Sequence, residues 1–121
     1  MSKQAFLIQQ IGSSSSDARV RADNVMQNII QPACKREGFE CVRADHFPQE
    51  TIVEPIVSAL ASAPLAIADL GSLPWNPNVL MEVGFRLANG KPLVFLADSD
   101  PSPATLPIYI RDKRILSIGE P

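Results

Sequence analysis

The stretch of sequence that decides the fold is LAIADLGSLPWNPNVLMEVGFRLANG, residues 65–90. Its first six residues are apolar except for Asp69, which predicts a buried central strand of a parallel sheet. A loop follows, after which Asn76 is a good N-cap and the proline behind it a good first residue of a helix. Gly90 is a stop signal, so the helix is predicted over about Pro77–Ala88.

Short apolar runs and helical patterns alternate along the rest of the chain. Strands are predicted at Phe6–Ile8, Phe39–Ala44, Leu65–Leu70, Pro92–Ala97 and Arg114–Ile118. A helix is predicted over Asp17–Glu37, with a kink at Pro32. Another opens at Thr51, which has capping-box spacing with Glu54, and ends near Ala63. This alternation predicts an α/β fold, a flavodoxin-like three-layer sandwich with a five-stranded parallel sheet in the order 2-1-3-4-5.

The length of 121 residues suits one domain but not two, so we expect a single domain over residues 1–121. The sequence ends directly after the fifth predicted strand, at Gly119-Glu120-Pro121. A helix that would cover this strand is expected to be missing, which is consistent with truncation of the domain at its C-terminus.

The composition excludes several classes of function. A net charge of −2 does not provide the basic face of a nucleic-acid-binding protein. No apolar run approaches the roughly 20 residues that span a bilayer, and the N-terminus does not read as a secretory signal. We therefore expect a cytoplasmic protein without membrane contact. Cys34 and Cys41 are too few for a disulfide framework, and with His46 as the only histidine we expect no metal site.

Glu82 is the acidic residue of the Pro77–Ala88 helix. One interpretation is a solvent-facing side chain that pairs with Arg86 at i,i+4, a contact worth only about 0.3–0.5 kcal/mol. The other is a functional carboxylate, because Asn78, Glu82, Arg86 and Asn89 form a narrow polar stripe on an otherwise apolar helix. Burial in that setting raises the pKa of a carboxyl group. The apolar flanks predict a homo-oligomer, a dimer formed through this helix.

Four groups of residues resemble a pattern known from other proteins: Ile67-Ala68-Asp69-Leu70, Asn76-Pro77-Asn78-Val79, Glu82-Val83-Gly84 and Asn89-Gly90-Lys91-Pro92. With them the sequence resembles the nucleoside 2-deoxyribosyltransferase-like families and their TIR-like relatives, over most of the chain to about Asp98. The resemblance implies that Glu82 attacks or stabilises the anomeric carbon of a ribosyl unit while the N-glycosidic bond breaks. Asp69 is then the expected second carboxylate, which protonates the leaving base or binds sugar hydroxyls. A turn or cap residue is the alternative for Asp69.

Polar groups at the carboxyl ends of the strands are the candidates for substrate binding, around the switch point between the first and third strands. The candidates are Gln9, Gly12, Ser13, Arg19, Asp45, Trp75, Asn76 and Asn78. Arg19 could meet a nucleotide phosphate and Trp75 could stack on a nucleobase. A solvated loop around Ser13 and an exposed helix charge at Arg19 are the alternatives.

Two hypotheses follow for the function. The first is a nucleotide N-glycosidase that cleaves or transfers the ribosyl–base bond of NAD or of a (deoxy)nucleoside monophosphate. The nucleotide is then the substrate and small-molecule partner, and no cofactor is expected. The alternative is a non-catalytic module of TIR-like type that binds a nucleotide, or oligomerises, and passes on a signal.

Overall fold

A computed structural model describes residues 3–119, and its middle layer is a sheet of five parallel strands. The strands are β1 (Lys3–Gln9), β2 (Phe39–Arg43), β3 (Leu65–Asp69), β4 (Leu93–Ala97) and β5 (Ile115–Ser117). The helices are α1 (Asp17–Val25), α2 (Gln31–Arg36), α3 (Val53–Ser62) and α4 (Pro77–Ala88). The strand order is β2-β1-β3-β4-β5 and every pair is parallel, which confirms the predicted fold class and order.

The two faces of the sheet bury separate apolar clusters, because the side chains of a strand alternate between its faces. On one face, Phe6 of β1 and Ala68 of β3 belong to a cluster that includes Val83 of α4 and residues of α3. On the other face, Leu7 and Ile67 belong to a cluster that includes residues of α1 and α2. The sheet therefore separates α4 from α1.

The layer formed by α1 and α2 does not cover the whole second face. Val94 of β4 and Leu116 of β5 are 41% and 45% exposed. They line an apolar groove of about 570 Å³, together with Ile29 and Ile30 from the segment before α2. The predicted three layers are present, but the second face is open over the last two strands.

The predicted helix over Asp17–Glu37 forms as α1 and α2 joined by a π turn at Met26–Ile30. The N–H of Gln31 donates to the carbonyl of Met26, five residues earlier. Pro32 has no N–H, and its ring clashes with a carbonyl in a regular helix. The wider π turn just before it relieves this conflict. The irregularity expected at the proline thus lies one turn earlier and is a change of hydrogen bonding.

The predicted capping box at Thr51 is wrong. Thr51 ends a 3₁₀ turn, Gln49–Thr51, and α3 begins only at Val53. The N-cap is Ile52, and no side chain caps the helix. Because Pro55 has no N–H, the first turn contains one donor fewer for a cap to satisfy.

The helix α4 has the bounds that the sequence predicts. The side chain of Asn76 accepts a hydrogen bond from the N–H of Val79 at 3.0 Å, and Pro77 is the first helical residue. Gly90, just after the helix, has a φ of +66°, which glycine adopts without strain. The N-terminus of α4 therefore lies at the end of the loop that leaves the carboxyl end of β3.

Arg86 ties α4 to its neighbours through backbone carbonyls. Its side chain is fully buried, and its Nη1 and Nη2 donate to the carbonyls of Leu60 at 3.1 Å and Ala63 at 2.7 Å. Its Nε donates to the carbonyl of Pro92 at 3.2 Å. Burial lowers the pKa of Arg86. This geometry excludes the surface pair with Glu82, because the guanidinium faces the end of α3 and the turn before β4.

We expect the substitution Arg86→Met to lower the free energy of unfolding by about 2–4 kcal/mol, because buried carbonyls lose hydrogen bonds from a charged donor. Urea unfolding followed by circular dichroism measures the change. The control is Arg36→Met, which alters an exposed arginine in the last turn of α2. Equal effects of the two substitutions would contradict the role of Arg86.

Candidate active site at the carboxyl edge of the sheet

Charged or amide side chains lie at the carboxyl ends of four of the five strands. Neighbouring ends of parallel strands are about 4.8 Å apart, so these groups can contact one another and the start of α1. They form one set of hydrogen bonds and ion pairs, which we call the edge network. Its members are Gln9, Arg19, Arg21, Asp23, Arg43, Asp45, Asp69 and Asp98.

Asp69, the last residue of β3, lies at the centre of the edge network, and its side chain is 0% exposed. Its Oδ1 accepts hydrogen bonds from Nη2 of Arg21 at 2.8 Å and from the N–H of Gly71 at 3.1 Å. Its Oδ2 accepts from Nη1 of Arg21 and from Nε2 of Gln9, both at 2.8 Å. Two bonds to each oxygen fill the acceptor sites of an ionised carboxylate. This geometry is that of a structural anchor, and the role of Asp69 as proton donor or sugar ligand stays a prediction that would require these bonds to open.

Gln9 connects Asp69 to the end of β2. Its Nε2 also donates to the carbonyl of Ala22 at 3.1 Å, and its Oε1 accepts from Nη1 of Arg43 at 3.0 Å. Gln9 and Asp69 are opposite each other in the register of β1 and β3. Both the N–H₂ group and the oxygen of the Gln9 amide thus have hydrogen-bond partners inside the protein. The predicted contact of Gln9 with substrate requires some of these bonds to break.

Arg43 holds two aspartates at the end of β2. Its Nε and Nη2 donate to Asp45 at 2.7 and 2.8 Å, and its Nη2 also donates to Asp23 at 2.8 Å. These hydrogen bonds lower the pKa of both carboxyl groups. Arg19 pairs with the same two aspartates, at 3.2 Å and 3.1 Å. Arg19 and Asp45, predicted to bind substrate, are therefore partners of each other.

Arg21 bridges the ends of β3 and β4. Besides Asp69 it contacts Asp98, with a distance of 2.6 Å from its Nη2 to Oδ1. The bond to Asp69 is the main cause of a raised pKa of Arg21. A small cleft of about 80 Å³ lies beside it at the switch point between β1 and β3, lined by Gln10, Gly71 and Ser72 among others. The edge thus leaves little open space on the α1 face.

The remaining predicted binding residues lie in the loops around this edge. Gly12 has a φ of +76°, and a Cβ there would be 2.8 Å from Oγ of Ser16, so only glycine fits. Ser13 is exposed, and its carbonyl accepts a hydrogen bond from that hydroxyl. Asn78 is exposed in the first turn of α4, whereas the side chain of Asn76 is used as the cap.

Trp75 lies in the loop before α4 and is half-buried against the α4-side cluster. Its Nε1 donates to the carbonyl of Thr105 at 2.8 Å, in the loop between β4 and β5. The indole thus joins two loops at the carboxyl edge. Stacking of Trp75 on a base stays a prediction.

Glu82 is half-buried, and its position one helical turn before Arg86 places it on the flank of α4 towards α3. The side chain of Arg86, four residues later on the same flank, contacts the end of α3. The residues of α3 one turn earlier, Ile56 and Ala59, are half-buried and aliphatic. Burial alone raises the pKa of Glu82 to about 7. Within residues 3–119 no hydrogen bond or ion pair stabilises its charge.

Glu82 and Asp69 lie on opposite faces of the sheet. Asp69 alternates with Ala68 and shares its face with Ile67, and its partner Arg21 belongs to α1. Glu82 belongs to α4, which packs on the other face. The two carboxylates expected to act as a pair are therefore separated by the sheet.

Two solved structures resemble this chain. A 2-desoxiribosyltransferase from Leishmania mexicana superimposes with a TM-score of 0.60 and 16% sequence identity, over 82% of this chain and 67% of the other. A CMP N-glycosidase from Clostridium botulinum superimposes with a TM-score of 0.57 and 19% identity, over 78% of this chain and 71% of the other. The chain has the nucleoside 2-deoxyribosyltransferase-like fold. No family model matches the sequence, and no curated protein sequence matches it.

The sequence pattern does not identify the arginine partners of the edge network. Arg43 ends a strand, and the alternation of side chains places it inward, where a buried charge requires a partner. Asp45, two residues later, is the available signal for that pair. Asp98 directly follows β4 and offered the same signal for Arg21. The contacts join residues up to 77 positions apart, and no local pattern indicates them.

The structure of residues 3–119 also bears on metal sites and on membrane-spanning helices. Within residues 3–119 no cluster of three or more potential metal-binding side chains occurs. None of the helices in this range has the length and apolar character needed to cross a membrane.

The raised pKa of Glu82 predicts a pH-dependent stability. Its folded-state pKa of about 7 lies above its ordinary value of 4.5, so the folded protein binds more protons between these values and loses stability as pH rises through them. We expect Glu82→Gln to be more stable than wild type at pH 8 and equal to it at pH 4. Thermal unfolding across this range measures the difference. A constant difference at all pH values would show that Glu82 is solvated.

Proposed function

We propose that this chain breaks the N-glycosidic bond of a nucleotide, by hydrolysis or by transfer of the ribosyl group, with Glu82 as the reacting carboxylate. The observation that carries the proposal is the state of Glu82, which is half-buried on α4 one turn before Arg86 and has no charge partner among the described residues. Unpaired, desolvated carboxyl groups are typical of functional sites, because no structural contact offsets the free energy that their desolvation costs. The fold is shared with a deoxyribosyltransferase and an N-glycosidase.

The chemistry follows from the charge that develops on the sugar. As the bond from C1′ to the base breaks, the sugar becomes oxocarbenium-like, and a carboxylate in a poorly solvated site stabilises it strongly. Attack by Glu82 on C1′ gives a glycosyl ester, which water hydrolyses or a second base resolves by transfer. The ionised form of Glu82 is required, so activity rises as pH increases through about 7.

The substrates that we propose are NAD or a (deoxy)nucleoside monophosphate. The substrate named for one structural neighbour, CMP, supports a nucleoside monophosphate. The exposed Asn78 and Ser13, with the free N–H groups at the start of α4 and α1, are available for sugar or phosphate groups. Arg19 is paired with Asp23 and Asp45 and is therefore not assigned to the phosphate.

The substitution Glu82→Gln tests this function, because it removes the charge and keeps the size. We expect the rate of base release to fall at least about 100-fold, since one electrostatic stabiliser of a transition state contributes this much. Liquid chromatography with mass spectrometry of NAD and nucleoside monophosphates measures the released base. The matched control is Glu54→Gln, which alters an exposed glutamate in the first turn of the neighbouring helix α3. Full activity of Glu82→Gln would exclude the mechanism.

A non-catalytic module that binds a nucleotide, or assembles, is the second candidate. The observation that favours it is the outer surface of α3 and α4, where Val53, Val57, Met81 and Phe85 are 46% to 69% exposed. Gly84 lies between Met81 and Phe85 in the sequence, and the space where a side chain would begin is open. A second helix can therefore approach α4 closely at this position. We propose that this surface forms a dimer with a second copy through α4. Nucleotide binding without base release would favour the module over the enzyme.

The substitution Phe85→Glu should convert a dimer into a monomer, because it places a charge in the apolar surface. Sedimentation equilibrium of wild type and variant gives the mass directly. The control is Val20→Glu, which adds the same charge at a 57% exposed valine of α1, on the other face of the sheet. A monomeric wild type, or equal dissociation of both variants, would contradict the dimer through α4.

A further inference from the structure

The second face of the sheet carries an open apolar groove above β4 and β5. Val94 and Leu116, exposed residues of these two strands, line it together with Ile29 and Ala33 of the helical segment that covers β1 and β3. The groove has a volume of about 570 Å³. Contiguous exposed apolar surface is uncommon on soluble domains and typically marks a binding site. The groove is therefore a candidate site for a ligand that the sequence does not indicate.

The lining determines what kind of group the groove can hold. Of the described residues that line it, Glu37 and Ser117 are polar, and the others are apolar side chains or the buried thiol of Cys34. A sugar or a phosphate would lose its hydration on such a surface without finding new hydrogen-bond partners. An alkyl group loses no hydrogen bonds there and is stabilised by its removal from water. The groove therefore selects an apolar group.

Two basic residues lie at one end of the groove. Lys113 and Arg114 directly precede β5, and they line a neighbouring cavity of about 490 Å³ whose walls include Val94 and Leu116. Both basic side chains are exposed, and neither is in an ion pair within residues 3–119. Ammonium and guanidinium groups form charge-assisted hydrogen bonds with carboxylates. An anionic group is therefore favoured at the β5 end of the groove.

The acidic residues nearby restrict where an anion can lie. Glu37 lines the groove at the end of α2, just before β2, and β2 and β5 are the opposite edges of the sheet. Its charge repels an anion from that side. Asp112 precedes Lys113 in the sequence but lines neither cavity. The charges thus direct the anionic end of a ligand to Lys113 and Arg114, and its apolar part along β4 and β5.

The size of the groove distinguishes a small ligand from a protein partner. The strand β5 has three residues and is about 10 Å long. A stable interface between proteins buries about 800 Å² on each partner, far more than a floor of two short strands provides. The volume of the groove lies within the range of about 300–1,000 Å³ that small-molecule sites have. A small amphiphile is therefore favoured over a second copy of this chain or a helix of another protein.

We propose that this groove binds a long-chain carboxylate, an amphiphile with a single alkyl chain. Its carboxylate contacts Lys113 and Arg114, and its chain lies over Val94 and Leu116. The ligand covers the apolar surface that α1 and α2 leave open. Because the sheet separates this site from Glu82, the proposal goes beyond the proposed function and does not depend on it.

Dodecanoate and dodecyltrimethylammonium, each below its micelle concentration, are the matched probes, because they share the alkyl chain and differ in the charge of the head group. Isothermal titration calorimetry measures their dissociation constants. We expect dodecanoate to bind at least about 10-fold more tightly, the contribution of one hydrogen bond to a charged group. From octanoate to dodecanoate, the affinity should rise about fourfold for each methylene group that the groove buries.

The substitution Leu116→Glu should weaken the binding of dodecanoate at least about 10-fold, because it places a charge in the floor of the groove. The control is Val20→Glu, which adds the same charge at an exposed valine of α1 outside the groove and should bind dodecanoate as the wild type does. The double substitution Lys113→Glu and Arg114→Glu alters two exposed side chains that the fold does not require. It should reverse the preference, in favour of dodecyltrimethylammonium.

Three results would overturn the proposal. The first is the absence of dodecanoate binding, or equal affinities of the wild type for the two probes. The second is equal binding of dodecanoate by Leu116→Glu and the wild type. The third is a dimer, seen by sedimentation equilibrium, that Leu116→Glu dissociates and Val20→Glu does not, because a second copy of this chain would then occupy the groove.

Discussion

The ion pair between Asp69 and Arg21 is the contact on which the carboxyl edge depends. A buried carboxylate is expensive unless it is fully hydrogen-bonded, and Asp69 meets this condition with a bidentate guanidinium, an amide and a backbone N–H. Through Gln9 it is linked to Arg43 at the end of β2, and through Arg21 to Asp98 after β4. Four strand ends and α1 are thereby held together, on a face that the sheet separates from α4.

That separation divides the molecule into a face with many paired charges and a face on which α4 packs with few charges. The edge network uses its charges for structure, since three arginines and four aspartates contact one another. On the other face, α4 contains two ionisable groups in an apolar surrounding, Glu82 and Arg86. Arg86 is satisfied by carbonyls, which leaves Glu82 without a partner among residues 3–119. Within residues 3–119, the other buried or half-buried carboxylates are paired with arginines, and Glu82 is the one without such a partner.

The sequence is sufficient to predict the sheet, its order and the bounds of α4, because these depend on local patterns: apolar runs, helix stops and the Asn76 cap. The polar stripe and the resemblance also point to Glu82 as a site residue, which stays a prediction. The hydrogen-bond partners of Gln9, Arg19 and Asp69 could not be predicted from the sequence, because most of these partners are distant along the chain. A strand pattern shows which side chains face inward but not which polar groups pair with one another. The Thr51 prediction failed for a related reason: capping-box spacing alone does not determine where the backbone enters the helix.

The hydrogen bond from Trp75 to Thr105 has a practical consequence. The chain contains a single tryptophan. Its ring is half-buried where the loop before α4 meets the loop between β4 and β5, with its N–H held by a carbonyl at 2.8 Å. Indole emission depends on the polarity and rigidity of this surrounding. The protein therefore carries an intrinsic fluorophore at the junction of these two loops, and its spectrum reports directly on whether they stay together or part.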